Sequence, residues 1–180
     1  MTRTDDEPVG RVVENVLRLL LARHVVEQGG VPFHAAGVVR DDRAHLLAGP
    51  SGAGKTTAVA LSAPCVRLGD DFGFAVPGPE GWRTAAVPFD NAERGDADPP
   101  RGWFPLAGVW RLYQAPATRL ETPSEMVRDL SILACAAAPW SMPELAVALM
   151  DTVDRLGREV PSGHLHFRPE PGLWDCIGPV

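Results

Sequence analysis

Lysine is almost missing from this chain: its seventeen basic residues are sixteen arginines and one lysine, Lys55. Cysteine is scarce too, with three residues (Cys65, Cys135, Cys176). An odd number without metal-ligand spacing argues against a disulfide framework and reads as core thiols in a reducing compartment. No stretch approaches the roughly 18 apolar residues a membrane span needs; the best, Ile132 to Trp140, is short and broken by Pro139. No Lys/Arg cluster interrupts a net charge of −6, which argues against nucleic acid or an anionic membrane as partner. Met1 to Gly10 is acidic and polar rather than leader-like, so a soluble, cytoplasmic protein is expected. What is present, 180 residues with 45% hydrophobic content, suffices for one domain over 1–180 and not for two.

Residues 1–8 read as a disordered tail. From Val9 to Gln28, Val12, Val13, Val16, Leu17, Leu20, Leu21 and Val25 recur at three- and four-residue steps, predicting a helix that Gly29-Gly30 ends. Two β-prone runs follow, Val31 to Val39 and Ala44 to Ala48, with Arg40-Asp41-Asp42-Arg43 as a hairpin turn. Lys55 to Leu61 reads as a helix, Pro64 to Leu68 as a strand, and Phe72 to Val76 as its continuation. Residues 77–105 are rich in Pro, Gly and Asp without a period, and are expected to form a long irregular, functional loop. Gly108 to Tyr113 predicts a strand. Thr122-Pro123-Ser124-Glu125 and Ser141-Met142-Pro143-Glu144 each have capping-box spacing with proline at the first helical position, predicting helices to about Ala138 and Gly157. Gly163 to Phe167 alternates like a strand, with Leu173 to Ile177 expected to pair near it.

Gly49-Pro50-Ser51-Gly52-Ala53-Gly54-Lys55-Thr56 matches GxxxxGK[ST]. In that pattern glycines let consecutive amides point at a β-phosphate, the following helix adds its positive end, the lysine reaches the β- and γ-phosphates, and the hydroxyl holds Mg²⁺. A chance match in one chain is on the order of one per cent. The context agrees: a β-prone run precedes the loop, a helical pattern follows, and Ser51, Gly52 and Ala53 are small. A chain that uses arginine everywhere else uses lysine here, where a compact ammonium fits and a planar guanidinium does not. Gly49, Ser51 to Thr57 and Mg²⁺ on Thr56 are therefore the expected ATP site.

Asp70-Asp71 follows an apolar run. One such carboxylate can hold Mg²⁺ and the other can accept a proton from an attacking hydroxyl. Asp5-Asp6 and Asp41-Asp42 show that the dipeptide alone means little; its position after Leu68-Gly69 gives it weight. His34 lies on the strand before the hairpin. His24, His45, His164 and His166 read as packing or surface residues. The last two can share one side of a strand, but no carboxylate or cysteine at metal spacing accompanies them.

Phe33-His34-Ala35-Ala36-Gly37-Val38, Leu46 to Thr57 and Leu68-Gly69-Asp70-Asp71 resemble, in order and spacing, the HPr kinase/phosphorylase superfamily, and most of all its shorter stand-alone HPr kinase-related serine kinases. The last motif also resembles the metal-binding segment of ATP-dependent phosphoenolpyruvate carboxykinase. The resemblance is strong from about residue 30 to residue 72. It implies an α/β fold with a mixed β-sheet, a phosphate loop and flanking helices. It also implies ATP and Mg²⁺ as cofactors, Asp70 as general base, Asp71 as metal partner and His34 beside the transferred phosphoryl group; the division of roles within the aspartate pair stays open. No second glycine-rich loop is found, so phosphorylase activity is not expected. Carboxykinase chemistry needs a second lysine and a larger substrate domain. The hairpin before the glycine-rich loop independently favours a mixed sheet, because parallel strands need longer crossovers.

The expected activity is ATP-dependent phosphoryl transfer to a hydroxyl, a serine of a protein or peptide or a small metabolite. Arg83, Arg94 and Arg101 are candidates for acceptor binding, while Trp82, Phe89, Trp103 and Phe104 would pin the 77–105 loop. A nucleotide-binding regulatory module and an ATP hydrolase are the alternatives, and the resemblance allows a homo-oligomer.

Overall fold

The turn at Asp41-Asp42 sets the first register of the sheet. Both residues have positive φ, 51° and 60°, the backbone that joins two twisted antiparallel strands through two residues; aspartate tolerates it because its short side chain can bond locally. The computed structural model describes residues 9–89, 99–138 and 143–178. The expected tail 1–8, the middle of the expected loop with Arg94, and the Ser141-Met142 cap lie outside these residues.

In chain order the described elements are α1 (Val9–Glu27), β1 (Val31–Phe33), β2 (Ala35–Arg40), β3 (Arg43–Ala48), α2 (Lys55–Leu61), β4 (Val66–Gly69), β5 (Gly73–Gly78), β6 (Gly81–Ala85), β7 (Trp103–Gln114), β8 (Arg119–Glu121), α3 (Glu125–Ala134), α4 (Pro143–Glu159) and β9 (Ser162–Phe167). They make a mixed α/β fold. β7 is long enough to serve two sheet portions. Its first residues pair antiparallel with β6, leading on to β5 and β1. The rest of β7 lies parallel to β3 on one side and β9 on the other. β2 and β4 extend the sheet antiparallel beyond β3, and β8 closes the other edge against β9.

Alternation distributes the side chains over two faces. Ala44, Leu46 and Ala48 of β3 join Leu149, Val153 and Leu156 of α4 and Ile132 of α3 in one core. Leu47, Leu112, Leu165 and Phe167 join Ala58 of α2 in the other. Ala22 and Val25 of α1 pack on Phe72, Phe74 and Phe89. No helix among the described residues is long and apolar enough to cross a membrane.

Several boundaries differ from the sequence-based expectations. The apolar face of α1 is mostly uncovered: Val12, Val13, Val16, Leu17 and Leu20 are exposed, and burial is confined to Ala22, Val25 and Val26, since only the end of the helix meets the sheet. Thr122 does not cap α3. Glu121 is committed to pairing with His164 in β8, so the helix begins at Glu125 behind Ser124. It also stops at Ala134, because the following backbone turns away to bond β1: the Ala137 N–H donates to the Pro32 carbonyl at 2.9 Å. Residues 77–105 are not irregular throughout, containing the end of β5, all of β6 and the start of β7. Leu173 to Ile177 is not a strand; it forms turns, with Leu173 buried.

His45 is fully buried on β3. Trp110 Nε1 donates to its Nδ1 at 3.0 Å, Trp174 packs 4.8 Å away, and its Nε2 has no hydrogen-bond partner among the described residues. Burial, reinforced by Arg40 and Arg43, lowers its pKa to about 4, so the fold holds it neutral. Unfolded, the ring titrates near 6.5. Its contribution is therefore intact above pH 6.5 and fades as the pH falls toward 4, a total of roughly 3 kcal/mol. Denaturant titrations at pH 7 and pH 4 should show a shallower loss in His45→Gln than in the parent; parallel losses would remove His45 as the source.

Candidate active site

His34 occupies the break between β1 and β2, where the chain leaves one sheet portion for the other. Its backbone ties two further segments: the His34 N–H donates to the Cys135 carbonyl at 2.8 Å, and its carbonyl accepts from the Gly49 N–H at 3.1 Å. The end of α3 and the start of the glycine-rich loop are thereby fixed to one residue.

The loop itself runs from the end of β3 to α2. Gly52 and Gly54 have positive φ, 80° and 98°, a backbone that glycine adopts at little cost. A Cβ on Gly54 would also lie 2.6 Å from the Phe167 ring of β9, whereas one on Gly52 would meet nothing within 4 Å. Gln114, the last residue of β7, donates its side-chain amide to the Gly52 carbonyl at 2.7 Å. Loop, β7 and β9 therefore meet where these two strands end.

Lys55 opens α2 and is buried. Its Nζ donates to the Gly49 carbonyl at 3.0 Å and the Pro50 carbonyl at 3.2 Å, and lies 3.1 Å from His34 Nε2. Burial lowers its pKa from the ordinary ammonium value, with the Asp71 carboxylate the main opposing group. The His34 Nε2 is also 2.6 Å from Asp71 Oδ1. One ring nitrogen cannot both accept from Lys55 and donate to Asp71, so it serves one of them at a time. Arg18 of α1 donates to Asp71 Oδ2 at 2.8 Å, with Glu14 on its other nitrogens at 3.0 and 2.6 Å and the Phe89 ring 5.2 Å away.

Two depressions meet here. One, of about 360 Å³, is lined by Ser51, Gly52, Gly54, Lys55, Thr56, Thr57, Asp70, Asp71 and Gln114. The other, of about 450 Å³, is lined by Arg18, His34 and Asp71, by Gly49 to Ser51, and by the apolar Leu19, Ala22, Phe72 and Ala134 to Ala137. Ser51 and Asp71 line both. Asp70 is the more buried of the pair, 4% exposed, and lines the first alone.

The residues singled out in the sequence thus converge: His34, Gly49, Ser51, Gly52, Gly54, Lys55, Thr56, Thr57, Asp70 and Asp71 border one or both depressions. Ala53 is held within the loop by its N–H on the Pro50 carbonyl, 3.1 Å. Arg83 and Arg101 do not belong here. Arg83 stacks over Trp103 at 4.2 Å, and Arg101 borders a separate cavity with Pro99 and Pro100. Of the aromatics expected to pin that region, Trp82 and Phe89 are buried and Trp103 is exposed. Arg18 and Gln114 were not signalled by any motif; each lies at the site only because of tertiary packing.

No protein-family model matches the chain, and no curated protein matches it. Among solved structures the chain is similar to the Hpr(Ser) kinase/phosphatase from Coxiella burnetii, with 15% identity, 71% of this chain and 92% of that chain covered, and a TM-score of 0.37. That is a distant structural relationship.

The glycine geometry yields a contrast. Gly52→Ala should cost about 1–2 kcal/mol from positive φ alone. Gly54→Ala should cost roughly 1–3 kcal/mol more, because its methyl group meets the packed Phe167 ring. Urea denaturation of the two variants measures both, and equal losses would contradict the Phe167 contact.

Proposed function

We propose that this chain binds a nucleoside triphosphate with magnesium and transfers the terminal phosphoryl group to a hydroxyl. One observation carries the reading: a buried lysine at the mouth of a glycine-rich loop lies beside a histidine–aspartate pair at the junction of two depressions. One depression suits a polyphosphate and the other suits an acceptor.

The residues fit the ligands. The loop between β3 and α2 is open at Gly52 and lined with small residues, as close backbone approach to a phosphate requires. The Lys55 ammonium rests on the Gly49 and Pro50 carbonyls, contacts that phosphate oxygens can replace with a stronger charge-assisted bond. The Thr56 hydroxyl and a carboxylate are hard oxygen donors suited to magnesium. Magnesium, when bound, neutralises charge on the phosphates.

Within the aspartate pair we favour the division opposite to the one the family resemblance implies. Asp70, buried on the phosphate side, would share the metal with Thr56. Asp71, common to both depressions and bonded to His34, would take the acceptor's proton. Arg18 would hold the Asp71 carboxylate in place, and His34 would sit between that base and Lys55. The acceptor, a serine of a protein or peptide or a small hydroxylated metabolite, would seat its flanking atoms on the apolar wall of Leu19, Ala22 and Phe72. Catalysis of this kind is mostly positioning and charge neutralisation.

Incubation with γ-labelled ATP, Mg²⁺ and serine-containing peptides or small alcohols tests the reading. Label on a hydroxyl is expected; free phosphate alone would indicate a hydrolase, and ATP bound but unchanged a regulatory module. Lys55→Ala should abolish magnesium–ATP binding in calorimetry, and undiminished binding would end the loop assignment. Asp71→Asn should keep nucleotide affinity and lose transfer by a factor of at least about 100, while Asp70→Asn should raise the Mg²⁺ concentration required. The reverse pattern would exchange the two roles.

A further inference from the structure

Three side chains at the β8–β9 edge form a donor set that the candidate active site does not use. His164 and His166 are alternate residues of β9 and share a face. Glu121 reaches that face from β8, where it stands opposite His164. The carboxylate missing at sequence spacing is thus supplied from 45 residues before His166. One ligand atom from each of the three lies within 4.8 Å of the other two. Glu121 Oε2 is 3.0 Å from His166 Nε2, and Oε1 is 3.9 Å from His164 Nδ1. A tetrahedral ion with bonds of about 2.0–2.1 Å separates its ligand atoms by roughly 3.3 Å. The two Glu121 separations, 3.0 Å to His166 and 3.9 Å to His164, bracket that spacing.

The two rings are held in place independently of Glu121. His164 Nε2 bonds Ser131 Oγ of α3 at 2.8 Å, which leaves Nδ1 toward the carboxylate. Tyr113 stacks on His166, centroids 5.1 Å apart and planes 18° apart, and meets His164 edge-on at 5.1 Å. Engagement of the second ring nitrogen and a fixed ring plane are what orient ligating histidines. The neighbouring charges are Arg119, 3.6 Å from Glu121 Oε2, and Arg111, stacked over Tyr113 at 5.2 Å.

The geometry points to a divalent transition-metal site of the zinc class formed by Glu121, His164 and His166. Two imidazoles and one carboxylate suit zinc and not magnesium, which takes oxygen donors, so the site is chemically distinct from the one at Thr56. With three protein ligands it leaves a fourth position for water. The ion fastens a three-residue edge strand to β9, whose next residue, Phe167, packs against Gly54.

Calorimetric titration of the untagged protein with zinc chloride tests this. About one equivalent should bind, with excess magnesium failing to displace it. His166→Ala and Glu121→Gln should each weaken binding at least about tenfold while keeping the parent's metal-free circular dichroism and melting temperature. Cobalt substitution should give the visible bands of a tetrahedral nitrogen–oxygen site without thiolate charge transfer. No zinc binding, undiminished binding in both variants, or a cobalt spectrum dominated by thiolate bands, which would move the ion to Cys65 or Cys176, would each overturn the assignment.

Discussion

The contact between the His34 ring, the Lys55 ammonium and the Asp71 carboxylate is the constraint around which the site is arranged. Each of the three comes from a different part of the chain: the break between β1 and β2, the first turn of α2, and the turn after β4. Lys55 is enclosed, so its charge must be compensated by the carbonyls of Gly49 and Pro50 and by the nearby carboxylate. Removing a partner from a buried charge is far more costly than the pair is worth in water. The loop conformation and the position of the aspartate are therefore not independent of one another.

Backbone bonds reinforce the arrangement from behind. His34 joins the end of α3 to the start of the glycine-rich loop, and Gln114 joins the same loop to β7. β7 in turn belongs to both sheet portions. A displacement of α3 thus reaches the loop through the two backbone bonds of His34, and one of β7 through the Gln114–Gly52 bond. α1 joins by a different route. Its apolar stripe contributes little burial near its start, and its grip on the site is the Arg18–Asp71 ion pair, partly shielded from solvent beside Phe89.

Local chemistry made part of this legible. The Asp41-Asp42 turn, the strands on either side of it and α2 follow from short-range patterns, whereas the placing of His34 and the aspartate pair beside the loop was carried by the family resemblance. What escaped was decided by long-range pairing. β8 is three residues with no alternation to read, existing because β9 lies alongside it. β6 is masked by the glycines and prolines around it. The cap at Thr122 has the right spacing but loses its segment to the sheet. Periodicity located α1 but not the sheet's reach along it, and Arg18 sits among leucines where nothing marks it. For His164 and His166 the missing partner was a glutamate on another strand, which spacing along the chain cannot display.

A protein with one side-chain amine, and that one folded under a loop, has an unusual reactivity profile. Acylating reagents find a surface of guanidinium groups to which they are indifferent. The one ε-amino group is shielded by two carbonyls and an imidazole. This side chain also borders the depression beside the glycine-rich loop, so its labelling reports how accessible that depression is.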